Sequence, residues 1–483
     1  MPSQTDEQAL EAAIEQELTG TSVEEVRAQD GSGSVAERAV PYRLENGYWL
    51  GDPDDYNAEF AIDERRFWHF LRATQPEELE KLQGRPQWKM QIMERLDRQI
   101  KQKGVLQVLR KGLKVDHAHF TMLYATPLAS SPEEVKQRFR QNEFSVTRQV
   151  QYSNANPREE IDMVVFVNGL PVATMELKNV WTGQNARTHG LKQYKHDRDE
   201  NQPLLQFGRC VVHFAVDPDE VFMTTKLEGD NTNFLPFNKG HNQGSGNPPN
   251  PFGHKTAYLW EEVLTKHSLA NLLEHFVRFD GKPTTPLSKK TLFFPRYHQL
   301  DVVRKLLRDV RSKGVGQRYL IQHSAGSGKS HSITWSAFQL IEAYPESPGL
   351  PGSKGMEQPL FDSVIVVTDR RILDKQIREH ITQFSQVKNI VAPAYSSEEL
   401  RDSLEDGKKI IITTIQKFPF IVEGISDLSD NRFAVVIDEA HSSQSGSTHH
   451  KMNRAMGRQV DEEEDDERDA QDMIIETMKN RKM

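Results

Sequence analysis

Seven residues, Ser324-Ala325-Gly326-Ser327-Gly328-Lys329-Ser330, restrict the fold of this chain more than any other segment. They follow the apolar run Tyr319-Leu320-Ile321 and open a stretch, residues 330–344, with helical spacing. A small-residue turn between a buried strand and a helix lets successive backbone N–H groups close around a phosphate at the helix N-terminus. Here Gly326, Ser327 and Gly328 would wrap the phosphate and Lys329 would bring a point charge. The Ser330 hydroxyl would reach Mg²⁺, so ATP with Mg²⁺ is the expected ligand. His323 stands where the usual pattern begins with glycine. A chance glycine turn followed by Lys-Ser does not account for flanks of this kind.

A second segment completes the pattern. The apolar run Ala434-Val435-Val436-Ile437 leads straight into Asp438-Glu439-Ala440-His441. A carboxylate at the end of a buried parallel strand lies at the ligand-binding rim of such a sheet. Asp438 is expected to hold Mg²⁺, Glu439 to orient and deprotonate a water, and His441 to relay the nucleotide state. Upstream, Phe294-Pro295-Arg296-Tyr297-His298-Gln299 offers the Gln299 amide to an adenine edge. Helices over 297–313 and 330–344 alternate with strands over 318–322, 363–368, 409–413 and 434–437, which predicts a doubly wound parallel α/β sheet. Thr368-Asp369-Arg370-Arg371 and Thr413-Thr414-Ile415-Gln416-Lys417-Phe418 follow two of those strands and could offer hydroxyls and cations to a DNA backbone. Singly, each reads as an ordinary loop. In this order the series resembles the superfamily-two helicases with a DEAH box, which implies a RecA-like motor domain.

A different constellation precedes it. Residues 161–167 and 172–177 are two β-rich runs flanking Asn168-Gly169, the signature of a hairpin. Glu176 and Lys178 are two apart and share a face. A regular two-residue turn would pair Asp162 with Met175 and turn it away from them. An odd or bulged connection, which Pro171 favours because it lacks an N–H, brings Asp162 to their side. Two carboxylates at a sheet rim suit Mg²⁺, with Lys178 to position water or hold charge. Charged residues on a wet hairpin face give the same letters, but these interrupt apolar strands. A polar segment, Lys192-Gln193-Tyr194-Lys195-His196-Asp197-Arg198, follows them. The set resembles the PD-(D/E)xK nucleases. Within that segment Gln193 and Tyr194 are adjacent, where the R subunits of type I restriction enzymes, which the chain as a whole resembles, often have Gln-x-x-x-Tyr; Gln193 is carried over from that resemblance as a site residue.

With 483 residues the chain exceeds one domain. Its net charge of −9 advertises no bulk cationic surface, so DNA contacts would come from local patches. A single cysteine, Cys210, excludes an intrachain disulfide and fits a reducing cytoplasm. No apolar run spans a membrane and no targeting signal is legible. Residues 1–38 read as a solvated lead-in, helical or disordered, with a flexible end, 39–265 as a mixed-sheet α/β nuclease domain, 266–290 as a linker and 291–483 as the motor domain. Residues 238–255 read as an exposed loop and 461–466 as a solvated acidic block.

Nuclease motif first and motor motifs after, the chain is similar to the R subunit of type I restriction enzymes. The Asn57-Ala58-Glu59-Phe60 segment and residues 105–112 add to that likeness. The resemblance implies translocation and cleavage of double-stranded DNA together with modification and specificity subunits. It also implies a second RecA-like domain closing over ATP. The sequence ends at Met483 before one, so weak ATP binding, negligible hydrolysis and no translocation are expected of this chain alone. Two other readings compete. In one, a helicase-like ATPase carries a non-catalytic docking domain; in the other, a truncated subunit binds partners or DNA without turnover.

Overall fold

The computed structural model describes residues 5–30, 47–128, 130–153, 156, 158–179, 183–281, 284–324, 326–368, 390–394, 396–414 and 431–438. The chain separates into two units, Met1–His298 and Gln299–Met483. Among the described residues no helix is long and apolar enough to cross a membrane.

The first unit is built on a seven-stranded mixed sheet whose strands lie side by side in chain order. They are β1 (Trp49–Leu50), β2 (Phe144–Gln151), β3 (Glu160–Val167), β4 (Leu170–Leu177), β5 (Val212–Val216), β6 (Val221–Thr224) and β7 (Leu235–Pro236). β1 runs parallel to β2 and β4 parallel to β5, and the remaining neighbours are antiparallel. Every residue of β4 is buried, as expected of a central strand covered on both faces.

The strand β2 was absent from the expected set. Its residues Ser145, Thr147 and Arg148 are polar yet buried, which hides it from an apolar-run reading. The lead-in is helical, one of its two expected forms, but it is not solvated. Residues Thr5–Thr19 form α1 and Val23–Asp30 form α2. α1 lies against β1, β2 and β4, with Leu10, Ile14 and Leu18 buried as an i, i+4, i+8 stripe. Its acidic residues look solvated in sequence, but Glu11 and Glu15 are buried beside Arg148.

Helices α3 (Glu64–Thr74), α4 (Pro76–Gln83), α5 (Trp88–Lys103), α6 (Val105–Lys111) and α7 (Glu133–Arg140) follow. The helical pattern over 88–111 is interrupted at Gly104, which separates α5 from α6. A small antiparallel ribbon pairs Leu113–Val115 with Ala118–Phe120. The expected linker is not one. α8 (Lys266–Asn271) and the π-turn Leu272–Phe276 bury Leu269, Leu272, Leu273 and Phe276, and Arg110 donates to the carbonyls of Leu273 and Val277, both at 2.6 Å. Strands β8 (Arg278–Asp280) and β9 (Thr291–Phe293) then pair antiparallel. The boundary between units therefore falls near residue 298 rather than across 266–290. Residues 238–255 contain no regular element, in line with a loop.

The second unit holds a four-stranded, all-parallel sheet in the order β11 (Val391–Pro393), β12 (Ile410–Thr414), β10 (Ser363–Thr368), β13 (Phe433–Ile437). α9 (Tyr297–Lys313) enters this unit, α10 (Lys329–Leu340) packs over β10 and β13, and α11 (Ser397–Glu405) precedes β12. One expected strand is missing from the sheet. Residues 318–322 pair with no described strand, and Tyr319, Leu320 and Ile321 are 41%, 88% and 43% exposed. Their apolar character identified a strand's composition, but its ladder partners are not present among the described residues. The segments 369–371 and 415–418, Glu439, His441 and the block 461–466 lie outside the described residues.

Candidate active site and nucleotide site

The β3–β4 hairpin turns at Asn168 (φ 52°) and Gly169 (φ 80°), a two-residue turn with both φ positive. A side chain at Gly169 would meet Asp63 O, Phe67 N and Phe67 Cβ, each at 2.6 Å, so the turn requires glycine twice over. Asn168 is buried and its side chain is satisfied by Met122 O, Asn142 Oδ1 and Glu143 N.

From this turn the ladder starts regularly, Val167 opposite Leu170 and Phe166 opposite Pro171. It then slips by one residue, with Val165 opposite Ala173 and Met163 opposite Met175. The bulge sits beside Pro171, where no N–H is available to hold a regular ladder. Continued one step, the slipped register sets Asp162 opposite Glu176, so the two carboxylates leave the sheet on one face. The bulge thus does what a plain two-residue turn could not.

Asp162 Oδ2 accepts the Leu177 N–H at 2.7 Å and lies 3.7 Å from Lys178 Nζ. Lys178 also donates to Leu177 O at 2.8 Å, and its own N–H bonds Val216 O on β5 at 2.8 Å, which ties the end of β4 to the sheet. Glu176 is fully buried. Burial, and then the neighbouring Asp162 charge, push its carboxyl up to about 8, against the opposing pull of Arg198. Asp162, Glu176 and Lys178 are therefore brought together.

Sequence reasoning left out two partners. Arg198 forks onto Glu176, Nε to Oε1 at 2.7 Å and Nη2 to Oε2 at 3.1 Å. Burial works against the guanidinium's charge, but Glu176 outweighs it and holds Arg198 above its ordinary value. The second is Glu11 on α1. Burial, then the Asp162 charge, raise its carboxyl to about 7 while Arg148 and Gln149 bond it. Arg198 was visible as a cation in the polar segment after β4, whereas Glu11 carried no signal beyond lying in an acidic helix.

The crossover from β4 to β5 contains two π-helical turns, Ala186–Gly190 and Gln193–Asp197. Gln193 is half-buried at the start of the second. Tyr194 is buried beneath the sheet, its hydroxyl 2.7 Å from Thr174 Oγ1, which in turn lies 2.7 Å from His213 Nδ1. Burial drives the His213 imidazole down to about 3, so that chain is uncharged and holds the crossover in place.

Hard oxygen donors suit Mg²⁺, which is commonly held by one or two carboxylates, water and substrate phosphate. Among the described residues no three His, Cys, Asp or Glu side chains group closely enough to hold a metal by themselves. The Asp162–Glu176 pair fits the two-carboxylate pattern.

In the second unit Gly328 (φ 84°) caps α10, and Lys329 and Ser330 begin it, both half-buried. Gln299 sits against the glycine loop. It is 4% exposed, and its Nε2 donates to Ser327 O at 3.1 Å and Gly328 O at 3.2 Å, bracing the loop from behind. His323 Nδ1 lies 3.2 Å from Ser327 Oγ, so the residue replacing the usual glycine also props the loop. Asp438 is buried at the end of β13, its N–H bonded to Val367 O at 2.8 Å.

Comparison with known proteins agrees with this division. Residues 39–232 match the family described as type I restriction enzyme R protein N terminus, and residues 298–460 match the SWI2/SNF2 ATPase family. The type I restriction enzyme HindI endonuclease subunit of Haemophilus influenzae is 26% identical over 64% of this chain and 28% of its own length. The SauCOLORF180P endonuclease subunit of Staphylococcus aureus is 24% identical over 64% and 30%. A putative type I restriction enzyme endonuclease subunit of Methanocaldococcus jannaschii, MjaIXP, is 25% identical over 65% and 30%. The chain spans under a third of the length of these curated relatives. Residues 39–232 thus resemble the N-terminal region of type I restriction enzyme R proteins, and residues 298–460 resemble the SWI2/SNF2 ATPases.

Proposed function

We propose that the first unit is a Mg²⁺-dependent endonuclease of the PD-(D/E)xK type and that the second is the first RecA-like part of an ATP-driven DNA motor. Together they would serve a cytoplasmic type I restriction system that cleaves unmodified double-stranded DNA with modification and specificity subunits. The observation that carries the reading is the β-bulge beside Pro171, which gathers Asp162, Glu176 and Lys178 on one face.

Asp162 and Glu176 would hold the divalent cation, whose charge neutralises the phosphodiester transition state when bound. Lys178, anchored on Leu177 O, would orient the attacking water and stabilise charge on its oxygen. Gln193, at the crossover, is assigned to positioning substrate at the same rim. In the second unit the Gly326–Ser327–Gly328 backbone and Lys329 would take the phosphates, while Ser330 and Asp438 would hold the accompanying Mg²⁺. Glu439 would orient water and His441 would couple the site to DNA. Gln299 acts on this site through the loop it braces.

A second reading has one observation in its favour. The Glu176–Arg198 fork satisfies both carboxylate oxygens, as an ion pair in a docking platform would. Plasmid nicking in Mg²⁺, with the chain alone and with modification and specificity subunits added, separates the two. Asp162→Ala and Lys178→Ala are each expected to lower nicking at least ~100-fold, the scale of losing one transition-state charge contact, with unchanged circular dichroism. Wild-type nicking in both variants would leave the docking platform as the better account.

A further inference from the structure

We infer that Arg198 is a positioning residue that occupies the cation's place on Glu176 and must yield it when a divalent metal enters. The inference rests on the reading of Asp162, Glu176 and Lys178 as the nuclease site.

A carboxylate has about four lone-pair directions, and the Arg198 fork uses one on each oxygen of Glu176. Glu176 is fully buried and the Arg198 side chain is 10% exposed, so this charge pair is held out of water. A buried carboxylate deprived of its counter-charge is strongly destabilising, which makes the guanidinium the natural occupant in the metal-free protein. Asp162 stands opposite Glu176 on the same face, and a divalent cation held by these carboxylates would share Glu176 with a full positive charge, in a setting where water screens poorly. Coordination therefore competes with the fork and opens at least one of its two bonds.

The released group has somewhere to go. Arg198 follows the last π-helical turn in extended backbone, φ −109° and ψ 125°, and its guanidinium already lies 5.8 Å from the centre of the Tyr152 ring. A guanidinium beside an aromatic face and freed of its carboxylate is suited to a phosphate oxygen. Arg198 would thus exchange the protein's own carboxylate for the substrate's phosphate.

The test measures metal binding apart from cleavage. Free Mn²⁺ is followed by electron paramagnetic resonance at pH 8 against wild type, Arg198→Met, Arg198→Lys and Glu176→Gln. Arg198→Met is expected to bind Mn²⁺ at least ~10-fold more tightly while its metal-free thermal midpoint falls and nicking is lost, because the repulsion between like charges is gone. Arg198→Lys, which keeps the charge but cannot fork, is expected to bind with intermediate affinity and to recover part of the nicking, and it serves if the methionine variant does not fold. A purely structural ion pair would lower the midpoint without tightening Mn²⁺ binding. Unchanged or weaker affinity in both Arg198 variants, with binding abolished in Glu176→Gln, overturns the exchange. Unchanged affinity in Glu176→Gln locates the failure in the site assignment itself.

Discussion

Replacing Arg148 by methionine tests whether α1 is an integral part of the first unit. Arg148 on β2 bonds Glu11 at 2.8 Å, Glu15 at 3.3 Å and Glu24 at 2.8 Å. Glu24 is half-exposed and contributes little; Glu11 and Glu15 are buried, and burial raises both to about 7 even with Arg148 in place. One pKa unit is worth about 1.4 kcal/mol, so at pH 8 each carboxyl can rise by roughly one more unit before it is simply neutral. Two such groups give a loss of about 3 kcal/mol, at the lower edge of the ~3–5 kcal/mol typical of breaking a buried pair. At pH 5 both carboxyls are protonated with or without the arginine, and the loss should shrink to about 1 kcal/mol or less. Urea denaturation of the Arg148→Met variant at the two pH values, with hydrogen exchange over residues 5–30, reads this out. An equal loss at both pH values, or unaltered protection of residues 5–30 at pH 8, would refute the coupling.

Two further outcomes follow from single positions. Gly169→Ala forces a side chain onto the Asp63 and Phe67 backbone at positive φ; a loss of about 2 kcal/mol or more is expected in denaturant titration, with nicking reduced because the turn sets the register of Asp162. Asp63 caps α3 through Arg66 N at 2.9 Å, and burial raises its carboxyl to about 7. A carboxyl raised above its unfolded value contributes stability that is complete below about pH 4 and is lost as pH rises through about 7. Asp63→Asn keeps the cap and should flatten that part of the stability profile, a change visible in thermal midpoints between pH 4 and 8; an unaltered slope would contradict the assignment.

What could be read from the sequence was whatever is decided locally. The Asn168-Gly169 turn, the two strands around it and the Pro171 irregularity are local, and so are the apolar strands β10, β12 and β13 before their polar ends. The features that escaped depend on a partner distant in the chain. β2 reads as a polar segment because Arg148 meets its carboxylates only after α1 docks, and α1 reads as solvated for the reciprocal reason. Residues 318–322 show the opposite error: they have a strand's composition, but composition does not supply a ladder. Gln299 reads from sequence as a ligand contact, and its bonds to the carbonyls of Ser327 and Gly328 have no local signal.

The change of strand direction at β4 has a mechanical consequence. On one side β4 is joined to β3 by a tight antiparallel return; on the other it reaches its parallel neighbour β5 only through a long excursion that carries Tyr194 and Arg198. The two acidic groups are therefore fixed to one another by a two-residue hinge, whereas the guanidinium is tethered to them from a separate span of chain. Arg198 can shift without any ladder bond of the sheet being broken, so the rim combines an immovable jaw with an adjustable one.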